Sequence, residues 1–333
     1  MPFGISLAPK EFEHRLHEQL SGLDGVDILR DDILVAGYGE TQEEAEANHD
    51  QNLRKLLDRA RKVNLKLNRK KMNLKKQQVK FMGHMITKGG LKPDPDKVKA
   101  VKNMPKPTCE QEALSLLGFI NYLAKFLPKL SEVAQPLRDL TRANAQFIWS
   151  RQHNKAFEDM KKLVVQHPVL KYYDVSEEVT LQREASERGL GATLMQNGQP
   201  VAFASRTLST TEQRYAQIEK ECIAIVFGSR KFSQYISRRD KFTVESDQKP
   251  LQSIFKKSLL HAPMRLQRMM LRLQRYNLDV VYKLVSLITI QCHLINIELP
   301  TFSQTTSTSK RCNNIMRRID GNRGIIIQQH SSI

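Results

Sequence analysis

Residues 179–208 read VTLQREASERGLGATLMQNGQPVAFASRTL, and this stretch decides the fold of the second half of the chain. The segments VTLQREAS, GATLMQNG and PVAFASRTL are each typical of a short strand. The elements predicted after them are a long helix at 212–236, the strand KFTVESD (241–247), helical stretches at 249–257 and 263–276, and the strand LDVVYKLV (278–285). The pattern predicts an α+β unit with a mixed five-stranded sheet and flanking helices.

A smaller helical region precedes this block. Four prolines, Pro93, Pro95, Pro105 and Pro107, punctuate the chain before it. Periodic apolar residues then predict helices at about 110–127 and 131–142, and the strand-rich pattern begins at about residue 147. The sequence therefore indicates more than one domain, which agrees with a length of 333 residues.

The first ninety residues show a third pattern. A helix is predicted at 8–20, and the stretch VDILRDDILVAG (26–37) indicates a hairpin with acidic residues at its tip. A second helix is predicted at 41–64, where Thr41 and Glu44 have the spacing of a capping box. The segments that follow, up to LKP at 91–93, resemble short strands broken by glycines.

Charge is the strongest signal in the composition. Lys and Arg number 53 against 35 Asp and Glu, which gives a formal net charge of +18. Between Arg54 and Lys80 the chain has twelve basic residues and one acidic residue, Asp58. Such an excess favours a polyanionic partner such as nucleic acid, although a solvated basic helix followed by a loop would give the same pattern.

Other features limit the possible location and cofactors. No stretch has the roughly 20 apolar residues that span a bilayer, and the first residues do not resemble a secretory leader, so we expect an intracellular protein. The four cysteines are far apart in the sequence, which argues against a zinc ribbon or a disulfide framework.

Asp31 and Asp32 are the first candidates for metal chemistry. Adjacent carboxylates raise each other's pKa, and a divalent ion relieves that conflict. Neighbours on an extended strand face opposite sides, so only one of the pair would ligate directly. A turn or a solvated surface pair is the alternative interpretation, because an Asp-Asp pair alone is weak evidence.

The order of several motifs nevertheless resembles the reverse transcriptase of gypsy-type LTR retrotransposons. The motifs are MPFGISLAPKEF, DD, LKLNRKK, VKFMGHMITKGGLKPDPDKVKAV and LLGFINYLAKFLPKLSEVAQPLRDLT, and the likeness extends from Met1 to about Val285. The resemblance implies that Asp31 and Asp32 bind catalytic metal. It also implies that other residues contact the nucleotide or primer, namely Pro2, Phe3, Gly4 and Lys71, and the turn Phe81, Met82, Gly83 and His84.

The second half resembles the RNase H domain of the same family. TLQREAS matches TLQCDAS, which places Glu184 where the family has its first aspartate. YAQIEKECIAIVF and VESDQKPL place Glu221 and Asp247 at two further acidic positions. The resemblance implies that these three acids bind Mg²⁺ or Mn²⁺ and that the substrate is an RNA–DNA hybrid.

The resemblance implies four regions: part of a reverse transcriptase palm (1–90), thumb or connector helices (91–146), an RNase H-like domain (147–285) and a divergent, disordered tail (286–333). Departures from the family pattern predict impaired catalysis. The first polymerase aspartate and the fourth RNase H acid are absent, Glu replaces Asp at 184, and Arg30 and Arg183 precede the acids.

Three hypotheses remain open at this stage. A polymerase would use primer–template and dNTPs and would need a carboxylate supplied from elsewhere. A ribonuclease would need Glu184, Glu221 and Asp247 to hold metal without a fourth acid. The third is a non-catalytic protein that binds nucleic acid through its basic faces.

Overall fold

A computed structural model describes residues 7–81, 83–143, 145–256 and 262–283, and the backbone of 326–330. The chain divides between Leu91 and Lys92 into two compact units, each with its own core. Within the described residues, no helix is both long and apolar enough to cross a membrane.

The first unit combines two helices with short strands. Its elements are α1 (Ala8–Gln19), β1 (Val26–Leu29), β2 (Asp32–Ala36), α2 (Gln42–Lys62), a 3₁₀ turn (Arg69–Lys71), β3 (Asn73–Lys76), β4 (Gln78–Phe81), β5 (His84–Thr87) and β6 (Gly90–Pro93). The predicted capping box is confirmed, because the Glu44 amide donates to Thr41 Oγ1 and the Thr41 amide donates to the Glu44 carboxylate. Both helices and the acidic hairpin lie where the sequence predicts them.

A small apolar core holds α1, the hairpin and α2 together. Leu16 and Leu56 project from the two helices, and Ile28, Ile33 and Val35 project from the strands. Removing these side chains from water is the main force that stabilises so short a hairpin.

The second unit begins with helices. These are α3 (Pro95–Asn103), α4 (Glu110–Tyr122), a 3₁₀ turn (Ala124–Phe126), α5 (Leu130–Val133), α6 (Gln135–Asp139) and α7 (Arg151–Val165). The single helix predicted at 131–142 is two short helices, because Pro136 in the first turn of α6 has no N–H to continue α5.

Helix α7 was not predicted, because the strand-rich pattern was expected from about residue 147. Its buried residues, Ala156, Phe157, Met160 and Val164, have the three-to-four-residue spacing of a helix with one apolar face. The signal was present in the sequence, and the strand-rich pattern begins only after this helix.

The mixed sheet follows. Its elements are β7 (Thr180–Ala185), β8 (Gly189–Gln196), β9 (Gln199–Thr207), α8 (Thr210–Gln213), α9 (Gln217–Lys231), α10 (Ser233–Ile236), β10 (Phe242–Ser246), α11 (Lys249–Lys256), α12 (Met264–Leu273) and β11 (Leu278–Tyr282). The strand order is β11-β10-β7-β8-β9, so the predicted five-stranded sheet is confirmed. Strand β10 is parallel to β7 and β11, whereas β8 is antiparallel to β7 and β9.

The helix predicted at 212–236 is three helices. Helix α9 has its own N-terminal cap, because the Glu219 carboxylate accepts a hydrogen bond from the Ala216 amide. Helix α10 follows at Ser233. The core lies between the sheet and helices α9 and α12, with Leu181, Ile225 and Leu266 fully buried in it.

One further strand belongs to the first unit. The backbone of β12 (Ile326–His330) pairs antiparallel with β2 and β3, which gives the order β1-β2-β12-β3. These five residues lie within the divergent tail predicted at 286–333, and the disorder of that tail stays a prediction. The other residues of the predicted tail lie outside the described part of the chain.

Candidate functional site

The centre of the mixed sheet carries a buried cation, Arg183. Side chains alternate along β7, so Arg183 shares a face with Leu181, which packs against α9 at Gly228. The Arg183 side chain is 0% exposed, and its guanidinium forms an ion pair with Glu221 of α9. A second ion pair joins Arg183 Nη2 to Asp247 Oδ1, 3.3 Å away, just after β10. Two of the predicted acids therefore share one arginine.

Neighbouring polar groups complete this cluster. Gln217 Nε2 donates to Glu221 Oε1 over 2.8 Å and to the Ala185 carbonyl over 3.1 Å. Ser246 Oγ accepts a hydrogen bond from Arg183 Nη2. Glu221 is 2% exposed and Asp247 is 29% exposed, so only Asp247 of the three charged side chains reaches solvent appreciably.

The charge on Arg183 is retained at neutral pH. Burial lowers the pKa of Arg183 to about 10, and the Asp247 carboxylate opposes that shift. Burial also raises the pKa of the nearby Cys222 thiol to about 12. At pH 7 the site therefore holds one fixed positive charge and a neutral thiol.

Glu184 does not join this cluster. It follows Arg183 in the strand and lies opposite Gly191 of β8, and its Oε2 is 2.9 Å from Lys129 Nζ. Lys129 precedes α5, and the neighbouring Ser131 amide donates to Ser205 Oγ on β9. Helix α5 thus meets the sheet on the side where Glu184 projects. The structure brings Glu221 and Asp247 together and directs Glu184 to a different partner.

A divalent ion does not fit the residues present here. Within the described part of the chain, no group of three or more His, Cys, Asp or Glu side chains could hold a metal. The guanidinium of Arg183 also already contacts the two carboxylates that would bind the ion. The roles of Glu184, Glu221 and Asp247 as metal ligands stay predictions from the family resemblance.

The acidic hairpin of the first unit has the predicted form. Leu29 pairs with Asp32 across the strands, so Arg30 and Asp31 make the turn, and Arg30 has a positive φ of 54°. Arg30 and Asp31 are exposed and Asp32 is half-buried. The tip presents Asp31 to solvent, whereas Asp32 Oδ1 is buried, and the role of both acids in binding metal stays a prediction.

The predicted nucleotide and primer contacts lie in different environments. Lys71 is exposed at the end of the 3₁₀ turn. Phe81 and His84 face each other across β4 and β5 and are both buried, and Gly83 between them has a φ of 71° that favours glycine. The remaining predicted contacts lie outside the described residues, namely Pro2, Phe3, Gly4 and Met82.

Sequence reasoning missed three residues that contact the predicted acids or Arg183. Gln217 could have been found, since it lies one helical turn before Glu221 and helical neighbours at this spacing meet. Ser246 could also have been found, because it directly precedes Asp247 in the sequence. Lys129 carried no signal, because only the tertiary packing of α5 brings it to Glu184.

Comparisons with known proteins agree with the fold. The family model described as reverse transcriptase (RNA-dependent DNA polymerase) matches residues 1–86, and an RNase H-like domain found in reverse transcriptase matches residues 174–276. Members of both families generally use divalent metal ions.

The chain is also similar in sequence to Pol polyproteins and in fold to a solved reverse transcriptase structure. The retrovirus-related Pol polyprotein from transposon 297 of Drosophila melanogaster is 33% identical over 285 residues, 85% of this chain and 26% of that protein. The transposon Tf2-3 polyprotein of Schizosaccharomyces pombe is 28% identical over 291 residues, 85% of this chain and 21% of that protein. A foamy viral protease-reverse transcriptase in complex with RNA/DNA hybrid shares the fold, with a TM-score of 0.70 at 22% identity over 85% of this chain and 39% of that chain.

The chain spans about a quarter of the length of the polyproteins it matches. The two family models lie on the regions for which the sequence predicted a polymerase and a ribonuclease lineage. The chain therefore contains a reverse transcriptase domain and an RNase H-like domain, and its relatives include Pol polyproteins of Drosophila transposons and of gypsy-type Tf2 elements.

Proposed function

We propose that this chain binds RNA–DNA hybrid or primer–template nucleic acid and that its RNase H-like unit is impaired in cleavage as it stands. The observation that carries this proposal is the separation of the three predicted acids. Glu221 and Asp247 meet at Arg183, whereas Glu184 meets Lys129.

The chemistry of the RNase H family explains why this separation matters. Two-metal hydrolysis needs several carboxylates that converge on one pair of ions. Displacing one catalytic group by about 1 Å can reduce the rate about a hundredfold. A cation that already neutralises two of the acids, and a third acid with another partner, both oppose that convergence.

The first unit supports the nucleic-acid part of the proposal. Eleven of the twelve basic residues between Arg54 and Lys80 are exposed, the exception being the half-buried Arg59. Apolar neighbours such as Leu56 hold this stretch in a folded core, so the charges lie on a structured surface. Such a surface releases counterions when it meets phosphates, which makes binding strong at low salt. The hybrid bound by the foamy viral relative guides the choice of ligand.

A polymerase function is the second candidate, and the solvent-exposed Asp31 of the hairpin favours it. It would require Mg²⁺ or Mn²⁺ at Asp31 and Asp32, dNTPs beside Lys71, and at least one further carboxylate. Primer extension by the purified chain with dNTPs and Mg²⁺ or Mn²⁺, and loss of that extension in Asp32→Asn, would establish it.

Binding is tested with a labelled RNA–DNA hybrid at salt concentrations from 50 to 200 mM, measured by fluorescence anisotropy. Each phosphate contact contributes about 0.9 to the slope of log K against log salt, so Lys70→Gln/Lys71→Gln should lower the slope by up to about 1.8. Arg151→Gln/Lys155→Gln removes the same charge from the exposed face of α7 and serves as the matched control.

Cleavage is measured on the same hybrid in Mg²⁺ and in Mn²⁺. Binding with little cleavage supports the proposal. Metal-dependent cleavage at a rate typical of the family, abolished by Asp247→Asn, would refute the impairment. Absence of salt-sensitive binding would refute the nucleic-acid role.

A further inference from the structure

We infer that Arg183 is a built-in counter-cation that takes the place of the metal ion at the acids of the RNase H-like sheet, so that Glu221 and Asp247 form a divalent-cation site only when the guanidinium is removed. The inference concerns metal binding and folding, and it does not depend on whether the chain binds nucleic acid.

The first step is the need for a positive charge. Glu221 is 2% exposed and Asp247 is 29% exposed, and both carboxylates contact the same arginine. Two such groups repel each other when both are ionised, and burial penalises the charge of Glu221 further. A cation between them removes both problems, and the chain supplies one from β7.

The second step is that an arginine is suited to this role. Its guanidinium stays protonated and offers several N–H donors in a fixed plane, so it can bind two carboxylates at once. The third group on the guanidinium is Ser246, whose hydroxyl accepts from Nη2. Gln217 binds the other oxygen of Glu221. Both oxygens of Glu221 are thereby engaged without a metal.

The third step is exclusion. An ion that entered would have to displace a side chain that is 0% exposed and would meet a like charge. Glu184 cannot compensate from the opposite side of the strand, where it binds Lys129. The unmodified chain should therefore show no divalent-cation dependence in this unit.

The experiment uses the full chain with Asp31→Asn/Asp32→Asn, so that the acidic hairpin contributes no ion binding. Mn²⁺ alone is the probe, because carboxylate oxygens suit Mn²⁺. Bound Mn²⁺ is counted by electron paramagnetic resonance, and thermal unfolding is followed by the fluorescence of Trp149 with Mn²⁺ or with EDTA.

With Arg183 present, the unfolding midpoint should be the same in Mn²⁺ and EDTA. Arg183→Ser should lower the midpoint in EDTA, and Mn²⁺ should raise it again with at least about tenfold tighter binding than in the parent. Arg188→Ser, at an exposed position beyond the same strand, should change neither property.

Further variants keep the test decisive if Arg183→Ser folds poorly. Arg183→Ser/Glu221→Gln removes the buried charge together with its partner, and it should fold and bind no Mn²⁺. The inference is overturned if the parent binds Mn²⁺ at a site lost in Asp247→Asn. It is also overturned if a folded Arg183→Ser binds Mn²⁺ no better than the parent.

Discussion

Two arginines precede predicted catalytic acids in this chain, and the structure treats them in opposite ways. Arg30 lies in the turn between β1 and β2, has a positive φ of 54° and is exposed. Arg183 lies in the central strand β7, and its side chain is fully buried. In a turn the long side chain reaches water, whereas in a strand it must enter one face of the sheet. The same local sequence feature therefore leaves one acidic site accessible and fills the other.

The largest difference between the two sites should appear on removing the buried arginine. Arg183→Ser leaves Glu221 buried without its cation, and breaking a buried pair in this way costs about 3–5 kcal/mol. Trp149 is the single tryptophan and packs against Phe157 in the same unit, so its fluorescence during urea unfolding reports the loss.

The control for that experiment removes both charges. Arg183→Ser/Glu221→Gln should recover at least about 1 kcal/mol of the lost stability, because no charge is left buried alone. A double variant as unstable as the single one would show that Arg183 acts through packing and not through charge.

A second comparison concerns the stability that Glu221 and Glu184 each contribute. Glu221→Gln leaves the buried Arg183 with only the partly exposed Asp247, and we expect a loss of about 3 kcal/mol. Glu184→Gln breaks a pair whose side chains are 38% and 55% exposed, so the loss should be about 0.2–1 kcal/mol. Urea unfolding of the two variants side by side tests this, and equal losses would contradict the division of the acids between two partners.

An arginine of intermediate burial should give an intermediate effect that depends on pH. Arg206 binds both carboxylate oxygens of Glu212, at 2.7 and 2.8 Å, and this pairing lowers the pKa of Glu212 to about 2. A depressed folded-state pKa contributes stability above the unfolded-state value, and that stability is lost as pH falls from about 4.5 toward 2.

Solvent screening limits this contribution to about 1 kcal/mol. The free energy of unfolding, measured between pH 6 and pH 3, should therefore fall more steeply in the parent than in Glu212→Gln. Parallel curves for the two proteins would show that the Arg206 pair contributes nothing measurable.

How far the sequence could predict the molecule follows from the range of each interaction. The strands of the mixed sheet, the acidic hairpin and the capping box at Thr41 depend on residues close in sequence, and local patterns predicted them. The break of the helix predicted at 212–236 depends on a local cap at Glu219, a signal that is present but weaker than the helical periodicity.

The arrangement of the acids could not be predicted in the same way. Family motifs assigned Glu221 and Asp247 to one metal site, and in the structure both contact Arg183. Strand alternation shows that Arg183 and Glu184 face opposite sides, but it does not say which of the two faces α9. The answer rests on the packing of Leu181 against α9 and on the position of Lys129, which only the tertiary structure fixes.

The smallest expected effect, and one of opposite sign, concerns Arg30. Arg30 has a positive φ, which strains a residue with a side chain by about 1 kcal/mol relative to glycine. Substitution by glycine relieves this strain, but part of the stabilisation is offset by the greater freedom of glycine in the unfolded chain. Arg30→Gly should therefore stabilise the first unit by about 0.5 kcal/mol, measured by amide hydrogen exchange in β1 and β2. A clear loss of protection from hydrogen exchange would show that the Arg30 side chain stabilises the hairpin. Arg30 and Arg183 would then differ in burial but not in being stabilising.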